Sequence, residues 1–317
     1  MSILNVPVCT SQLGNTGKPS CYFDMGKIRG FILMRRSKYF AVADLATNDA
    51  FLTKLQEATL AAESTRIYPV FRFQAVDDQS EALVKSNTGY GDVKVVRDGN
   101  YNMIFELATG GMCLNAQLRK FNYQNGTWSA LLVDDKNQIL GRQDADGNLY
   151  GIDLSLFHAH PMKFNNGTDE SKYMVEIGMN KPEQINDQLG IVPCNFDVET
   201  SVLGLLNVEL YHIGTAAVGT VTVGARLQCG KTDLYTDLKT LLSSNALWVI
   251  TDSTGAVIAT TDADYNDTLK GWDIDFTGSG ALTFNLAAPS VLAAAHIGEF
   301  PENGYEGVPV TITVPAT

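Results

Sequence analysis

Apolar and polar residues alternate along much of the chain, the period of a strand with one buried face. Residues 66–76 are rich in aromatic and β-branched side chains and read as a strand. Tyr101–Leu107 and residues 172–178 read the same way. In the second half, residues 207–213, 220–223, 282–286 and 308–314 alternate. A helical period occurs in three places. One follows an N-cap at Asn48 or Asp49 and puts Phe51, Leu52, Leu55 and Ala58 on one face. A second runs from about Gly111 to Phe121 with Leu114, Leu118 and Phe121 aligned. A third follows a cap at Thr232 or Asp233 and carries Leu234, Leu238, Leu241 and Leu242. Many strands and few helices predict a mainly β (α+β) fold.

One pattern recurs. Residues 131–146 match residues 249–264 at a constant offset of 118. Asp134 falls on Asp252, Asn137 on Gly255, and Asp144-Ala-Asp146 on Asp262-Ala-Asp264. After a two-residue shift, Gly151-Ile-Asp-Leu154 falls on Gly271-Trp-Asp-Ile274. A helical pattern precedes each copy, and a strand followed by Pro182 or Pro289 comes after it. Asp-x-x-Gly hairpins are common. The shared order of helix, hairpin and strand favours a duplication over chance, and predicts two halves of one fold.

Charge divides the chain similarly. Residues 1–200 hold 19 basic and 23 acidic side chains, residues 201–317 hold 4 and 12, and the whole chain is −12. The fall in basic residues places a boundary between domains 1–200 and 201–317, with 193–201 as the expected connection. An acidic chain lacks the cationic face that gripping nucleic acid requires. No stretch reaches the roughly 20 apolar residues of a membrane span, and the start of the chain has no basic-then-apolar leader. The five cysteines, Cys9, Cys21, Cys113, Cys194 and Cys229, are widely spaced with no Cys-x-x-Cys pair. They read as free, mostly buried thiols in a reducing compartment, and the absence of close ligand pairs argues against zinc.

Several motifs imitate chemistry. Gly230-Lys231-Thr232 before a helix resembles the end of a phosphate-binding loop, but no glycine stands five residues before Gly230 and the intervening side chains are bulky. A helix cap is the better reading. Asp144-Ala-Asp146-Gly147 opens like a calcium loop, yet its glycine is at position 4 and Ser155 stands where the glutamate belongs. A hairpin turn is expected, and cation binding by Asp144/Asp146 or Asp262/Asp264 stays open. His158-Ala-His160 would put two imidazoles on one strand face with no third ligand nearby in sequence. No nucleophile motif occurs. The expectation is a non-enzyme with no catalytic, cofactor or metal site.

Asp24-Met-Gly-Lys-Ile-Arg-Gly-Phe-Ile-Leu33, residues 89–99, and the segment from Cys113-Leu114 to Arg119-Lys-Phe-Asn122 resemble structural proteins of phages and prophages of the Bacteroides group. The duplicated order of strands, helix and hairpin is similar to the tail tube (major tail) proteins of long-tailed phages. That resemblance implies two tandem β-sandwich or barrel domains, each with a flanking helix. The first would carry an N-terminal extension and an insert at residues 158–171. It implies a virion subunit that self-assembles into stacked rings, three chains giving pseudo-sixfold symmetry. Such rings meet other tail proteins and pass DNA without binding it specifically, and they are assembled in the bacterial cytoplasm. The second domain could instead be an immunoglobulin-like appendage. The loop 77–92 is expected to reach a neighbouring subunit through Asp77, Asp78, Ser80, Asn87, Gly89, Tyr90 and Gly91, because it is longer than a hairpin needs. The competing reading is a β-sandwich binding module such as a capsid decoration or adhesin, with Trp128, Trp248, Trp272, Tyr150 and Tyr265 as candidate sugar-stacking residues. For Trp248 and Trp272, core is the plainer expectation.

Overall fold

The computed structural model describes residues 2–4, 25–71, 73–88, 92–107, 111–124, 126–164, 167, 171–295 and 304–316. The chain forms two compact units, Met1–Thr59 with Glu63–Val202, and Leu60–Ala62 with Leu203–Thr317. Both are mainly β. Among the described residues, no helix is long and apolar enough to cross a membrane.

The first unit contains β1 (Ile28–Arg35), β2 (Tyr39–Phe40), α1 (Asn48–Thr59), β3 (Tyr68–Val70), β4 (Phe73–Asp78), β5 (Val84–Thr88), β6 (Asp92–Arg97), β7 (Tyr101–Leu107) and α2 (Gly111–Leu118). It continues through β8 (Trp128–Asp134), β9 (Gln138–Gln143), β10 (Leu149–Tyr150), β11 (Ile152–Asp153), β12 (Leu156–Ala159), β13 (Met174–Met179), α3 (Glu183–Asn186), β14 (Leu189–Pro193) and α4 (Val198–Ser201). An eight-stranded sheet runs β2-β10-β9-β8-β1-β3, with β11 also on β8 and β14 on β9. A four-stranded sheet runs β12-β13-β7-β4.

The larger sheet is covered on both faces. Phe31, Leu33, Ala130 and Leu132 join a core with Phe105, Val175 and Ile177 of the smaller sheet. Ile32, Met34, Leu131 and Val133 face the other way, against Phe51 and Leu55 of α1 and Val198 of α4. A strand buried on both faces needs apolar residues at every position, which explains the unbroken Phe31-Ile-Leu-Met34 run. Full burial of each large apolar side chain contributes roughly 1.5–3 kcal/mol, so β1 and β8 form the energetic centre of the unit. Thr47 Oγ1, rather than Asn48 or Asp49, caps α1 by accepting from Ala50 N at 3.2 Å. Residues 193–201 are no free connection: Val198 and Val202 are fully buried in the first unit's own core.

The second unit contains β15 (Leu206–Ala217), β16 (Thr220–Leu227), α5 (Tyr235–Leu238), β17 (Trp248–Thr251), β18 (Val257–Ile258), β19 (Thr260–Asn266), β20 (Gly271–Phe276), β21 (Gly280–Leu286), α6 (Pro289–Ala295), β22 (Tyr305–Val308) and β23 (Val310–Val314). Its sheets run β19-β20-β16-β15-β22 and β18-β17-β21-β23. One core, including Val208, Val223, Trp248, Trp272, Ile274 and Phe284, fills the space between them. The third expected helix is only one turn, followed by a 3-10 turn at Leu241–Ser243. Its N-cap position is Leu234 rather than Thr232 or Asp233, and Asp233, one residue earlier, accepts from Tyr235 N at 2.8 Å.

The repeat is real locally and breaks further on. In the first unit Leu132 pairs with Leu140 and Val133 with Ile139. In the second Ile250 pairs with Ile258 and Thr251 with Val257, the same register 118 residues later. Asp134 Oδ1 accepts from the amides of Lys136 and Gln138, and Asp252 Oδ1 from those of Thr254 and Ala256. Asn137 (φ 57°) and Gly255 (φ 86°) supply the left-handed residue each turn requires. Beyond Ile258 the match fails. Asp144 occupies a turn, whereas Asp262 lies within β19. β11 pairs with β8 in the large sheet, whereas β20 lies inside the other sheet of its unit. The smaller-sheet order β12-β13-β7-β4 recurs as β19-β20-β16-β15, but the returning strand joins β9 as β14 in one unit and β17 as β21 in the other. The two units therefore share a hairpin and a four-strand order without superposing strand for strand.

Candidate assembly interface

The segment expected as a loop is a hairpin on a fastened root. β4 continues to Asp78, and only residues 79–83 connect it to β5. Gln79 N donates to Asn102 O and Glu81 N to Asn100 O, both at 2.8 Å. Asp78 Oδ1 accepts from Ser80 N (3.0 Å) and Oγ (2.5 Å), while Ser80 Oγ accepts from Asn102 N. Glu81 Oε2 accepts from Asn100 N at 3.2 Å and from Arg97 Nη1 at 3.1 Å. The Asn100 amide first, and then Arg97, hold the Glu81 carboxyl below the ordinary carboxylate range. The two chains approach so closely here that a Cβ at Gly99 would lie 2.0 Å from Glu81 O.

Beyond the root, β5 and β6 pair antiparallel with each other and, among the described residues, with no other strand. Val93, Val95 and Val96 are 54–59% exposed, and Leu83 is 40% exposed. Of the expected contact residues, Asp77 and Asp78 lie in β4, Ser80 fastens the root, and Asn87 pairs with Val93. Gly89, Tyr90 and Gly91 lie outside the described residues. The valines were the missed signal: Val84, Val93 and Val95 with polar neighbours already give a strand period.

The outer faces of the β12-β13-β7-β4 sheet and of the five-stranded β19-β20-β16-β15-β22 sheet are polar. In the first unit Asn102 Nδ2 donates to Glu176 Oε1, His160 Nε2 lies 3.0 Å from Glu176 Oε2, and Lys172 Nζ pairs with Glu106 at 3.0 Å. In the second, Asp262 pairs in register with Asp275 and Asp264 with Asp273, while Ala263, Trp272 and Ile274 face the core. Thr220 and Thr222 hydroxyls donate to Asp275 and Asp273, and Asn266 Nδ2 donates to Asp273.

The motifs that imitated chemistry serve local structure. Gly230 and Lys231 both have positive φ in a tight turn, and Lys231 Nζ pairs with Glu209. Asp144 Oδ1 accepts from Asp146 N and Asn148 N, closing a hairpin turn with Gly147 at φ 85°. His158 and His160 stand with ring centroids 5.0 Å apart on the edge strand β12 and the residues just after it. The described residues contain no group of three His, Cys, Asp or Glu arranged to hold a metal ion. Trp128, Trp248 and Trp272 are buried, whereas Tyr265 is 48% exposed. The cysteine expectation is overturned in part: Cys113 and Cys229 are disulfide-bonded. Cys194 is a free thiol, and burial, reinforced by Asp134, pushes it up to about 12. Cys9 and Cys21 lie outside the described residues.

No protein-family model and no curated protein matches the sequence. Among solved structures, the cap that terminates the tube of the anti-feeding prophage aligns with 57% of this chain and 98% of its own, at 9% identity and a TM-score of 0.21. That degree of similarity assigns neither fold nor function.

Proposed function

We propose that this chain is a phage-type virion structural protein, a tail-tube subunit that assembles into stacked rings around a DNA conduit. The observation that carries the reading is the β5–β6 arm. A two-stranded hairpin is marginal alone in water, and this one shows three valines to solvent on a hydrogen-bonded root. Such an arm gains order from a neighbouring subunit. Two features agree with the reading. The four-strand order β12-β13-β7-β4 recurs within the second unit's five-stranded sheet, as three chains forming a pseudo-sixfold ring would use it. The net charge of −12 would keep passing DNA from sticking, since like charge removes the phosphate contacts that hold it. Other tail proteins would meet the ends of the stack, and assembly would take place in the bacterial cytoplasm.

Negative-stain microscopy of the purified chain tests this. Rings or tubes are expected, and a variant with residues 83–97 replaced by a short Gly-Ser link should stay folded and monomeric. Monomeric wild-type protein, or unchanged assembly of the shortened variant, would overturn the proposal.

A second reading, a β-sandwich binding module such as a capsid decoration or adhesin, draws on one feature. Tyr39 stacks on Tyr150 at 5.0 Å, and the Arg142 guanidinium lies 4.6 Å from the Tyr150 ring. Monomers that bind glycans and lose binding in Tyr39→Ala would favour it.

A further inference from the structure

The arm and the acidic sheet are complementary in charge. β6 carries Lys94 between Val93 and Val95, and Lys94 is exposed with no ion-pair partner among the described residues. Arg97, by contrast, is engaged by Glu81 at the root. β19 ends its sheet with no strand beyond it, and Asn245 Nδ2 donates to Thr261 O at 3.3 Å near its start. Its register with β20 sets Asp262 opposite Asp275 and Asp264 opposite Asp273, so four carboxylates share one face. Like charges directly opposite one another repel. Their described partners are the hydroxyls of Thr220 and Thr222, the Asn266 amide and the Ala263 N–H, none of which carries positive charge. A charged edge strand is a usual guard against random pairing. It rejects ordinary edges and accepts one with the opposite charge.

We propose that β6 of one copy adds to the outer edge of β19 in a second copy, with Lys94 on the face of Asp262 and Asp264. This rests on the assembly reading above and names the surface that receives the arm. One register satisfies both sides of the strand. Successive residues alternate between faces. With Lys94 beside the aspartates, Val93 and Val95 fall on the opposite face, beside half-exposed Tyr265. The backbone supplies affinity as in other strand additions, and the lysine–aspartate match supplies selectivity.

Zero-length carbodiimide coupling of mixed heavy- and light-isotope full-length chains tests this directly. Heavy–light crosslinks between Lys94 and Asp262 or Asp264 are expected. Lys94→Glu and the Asp262→Lys/Asp264→Lys double variant should each raise the concentration needed for assembly at least tenfold, and combining them should restore it. Wild-type tubes that yield no such crosslink, or that form equally well with Lys94→Glu, would overturn the docking and leave the tube reading standing. Assembly that depends on Mg²⁺ and ignores Lys94→Glu would assign the carboxylates to a divalent ion and also overturn it. Wild-type protein that stays monomeric, without heavy–light crosslinks, would overturn both.

Discussion

Asp134 Oδ2 accepts the backbone N–H of Gly26 at 2.7 Å, joining the β8–β9 turn to a segment 108 residues earlier. Asp134 is fully buried. Among the described residues, its counterpart at the 118 offset, Asp252, serves its own turn. Asp134→Ala would strand the Gly26, Lys136 and Gln138 amides together, at a cost of about 2–4 kcal/mol. Asp252→Ala should cost clearly less, since water reaches the amides it leaves. Urea unfolding of the two variants gives the comparison, and equal losses would refute the distinction.

A second expectation concerns acid. Burial by itself would raise the Asp153 pKa, but Lys181 and Gln184, with Arg36, outweigh it and hold the carboxyl below its ordinary range. Lys181 Nζ lies 2.7 Å from Asp153 Oδ2, and Arg36 Nε lies 3.8 Å from Oδ1. A depressed folded pKa gives stability that is complete above the unfolded value of about 4 and is lost as pH falls through the folded value. Lys181→Met should therefore be destabilised most near neutrality, with the gap to wild type narrowing below about pH 4. A gap that stays constant from pH 7 to pH 3 would show that the ion pair contributes nothing pH-dependent.

The root of the arm should be sensitive to a single methyl group. Gly99→Ala forces apart two backbones that already touch, because its Cβ would meet Glu81 O at 2.0 Å. Amides of Val84–Thr88 and Asp92–Arg97 should then exchange faster, while those of β8 exchange as in wild type. Unchanged exchange in the hairpin would mean the root does not order it.

The parts legible in the sequence were those that local chemistry fixes. The Asp134 and Asp252 turns follow from a side chain that caps amides two and four residues on, so the hairpin register repeats faithfully. The fate of Asp262 depended on where the chain goes after Ile258, a crossing between sheets that no nearby residue encodes. The glycines at 89 and 91 point to a loop in the sequence, and only the valines on either side of them signal the strands. The Phe31–Met34 run did not alternate, and only a layer on each face of its sheet explains that. That Cys113 and Cys229 are disulfide-bonded left no signature in the wide cysteine spacing.

The central strand pair also sets an order of events during synthesis. Phe31 pairs with Leu132, and β14 closes on β9 only once Pro193 is available. At about 5–20 residues per second, β1 emerges roughly 5–20 s before its main partner exists. During that interval the apolar Phe31–Met34 run is an open template for any other nascent chain. Yield on overexpression should therefore be governed less by the finished fold than by what shelters residues 28–35 on the ribosome, and growth at lower temperature with chaperones in excess should raise the soluble fraction.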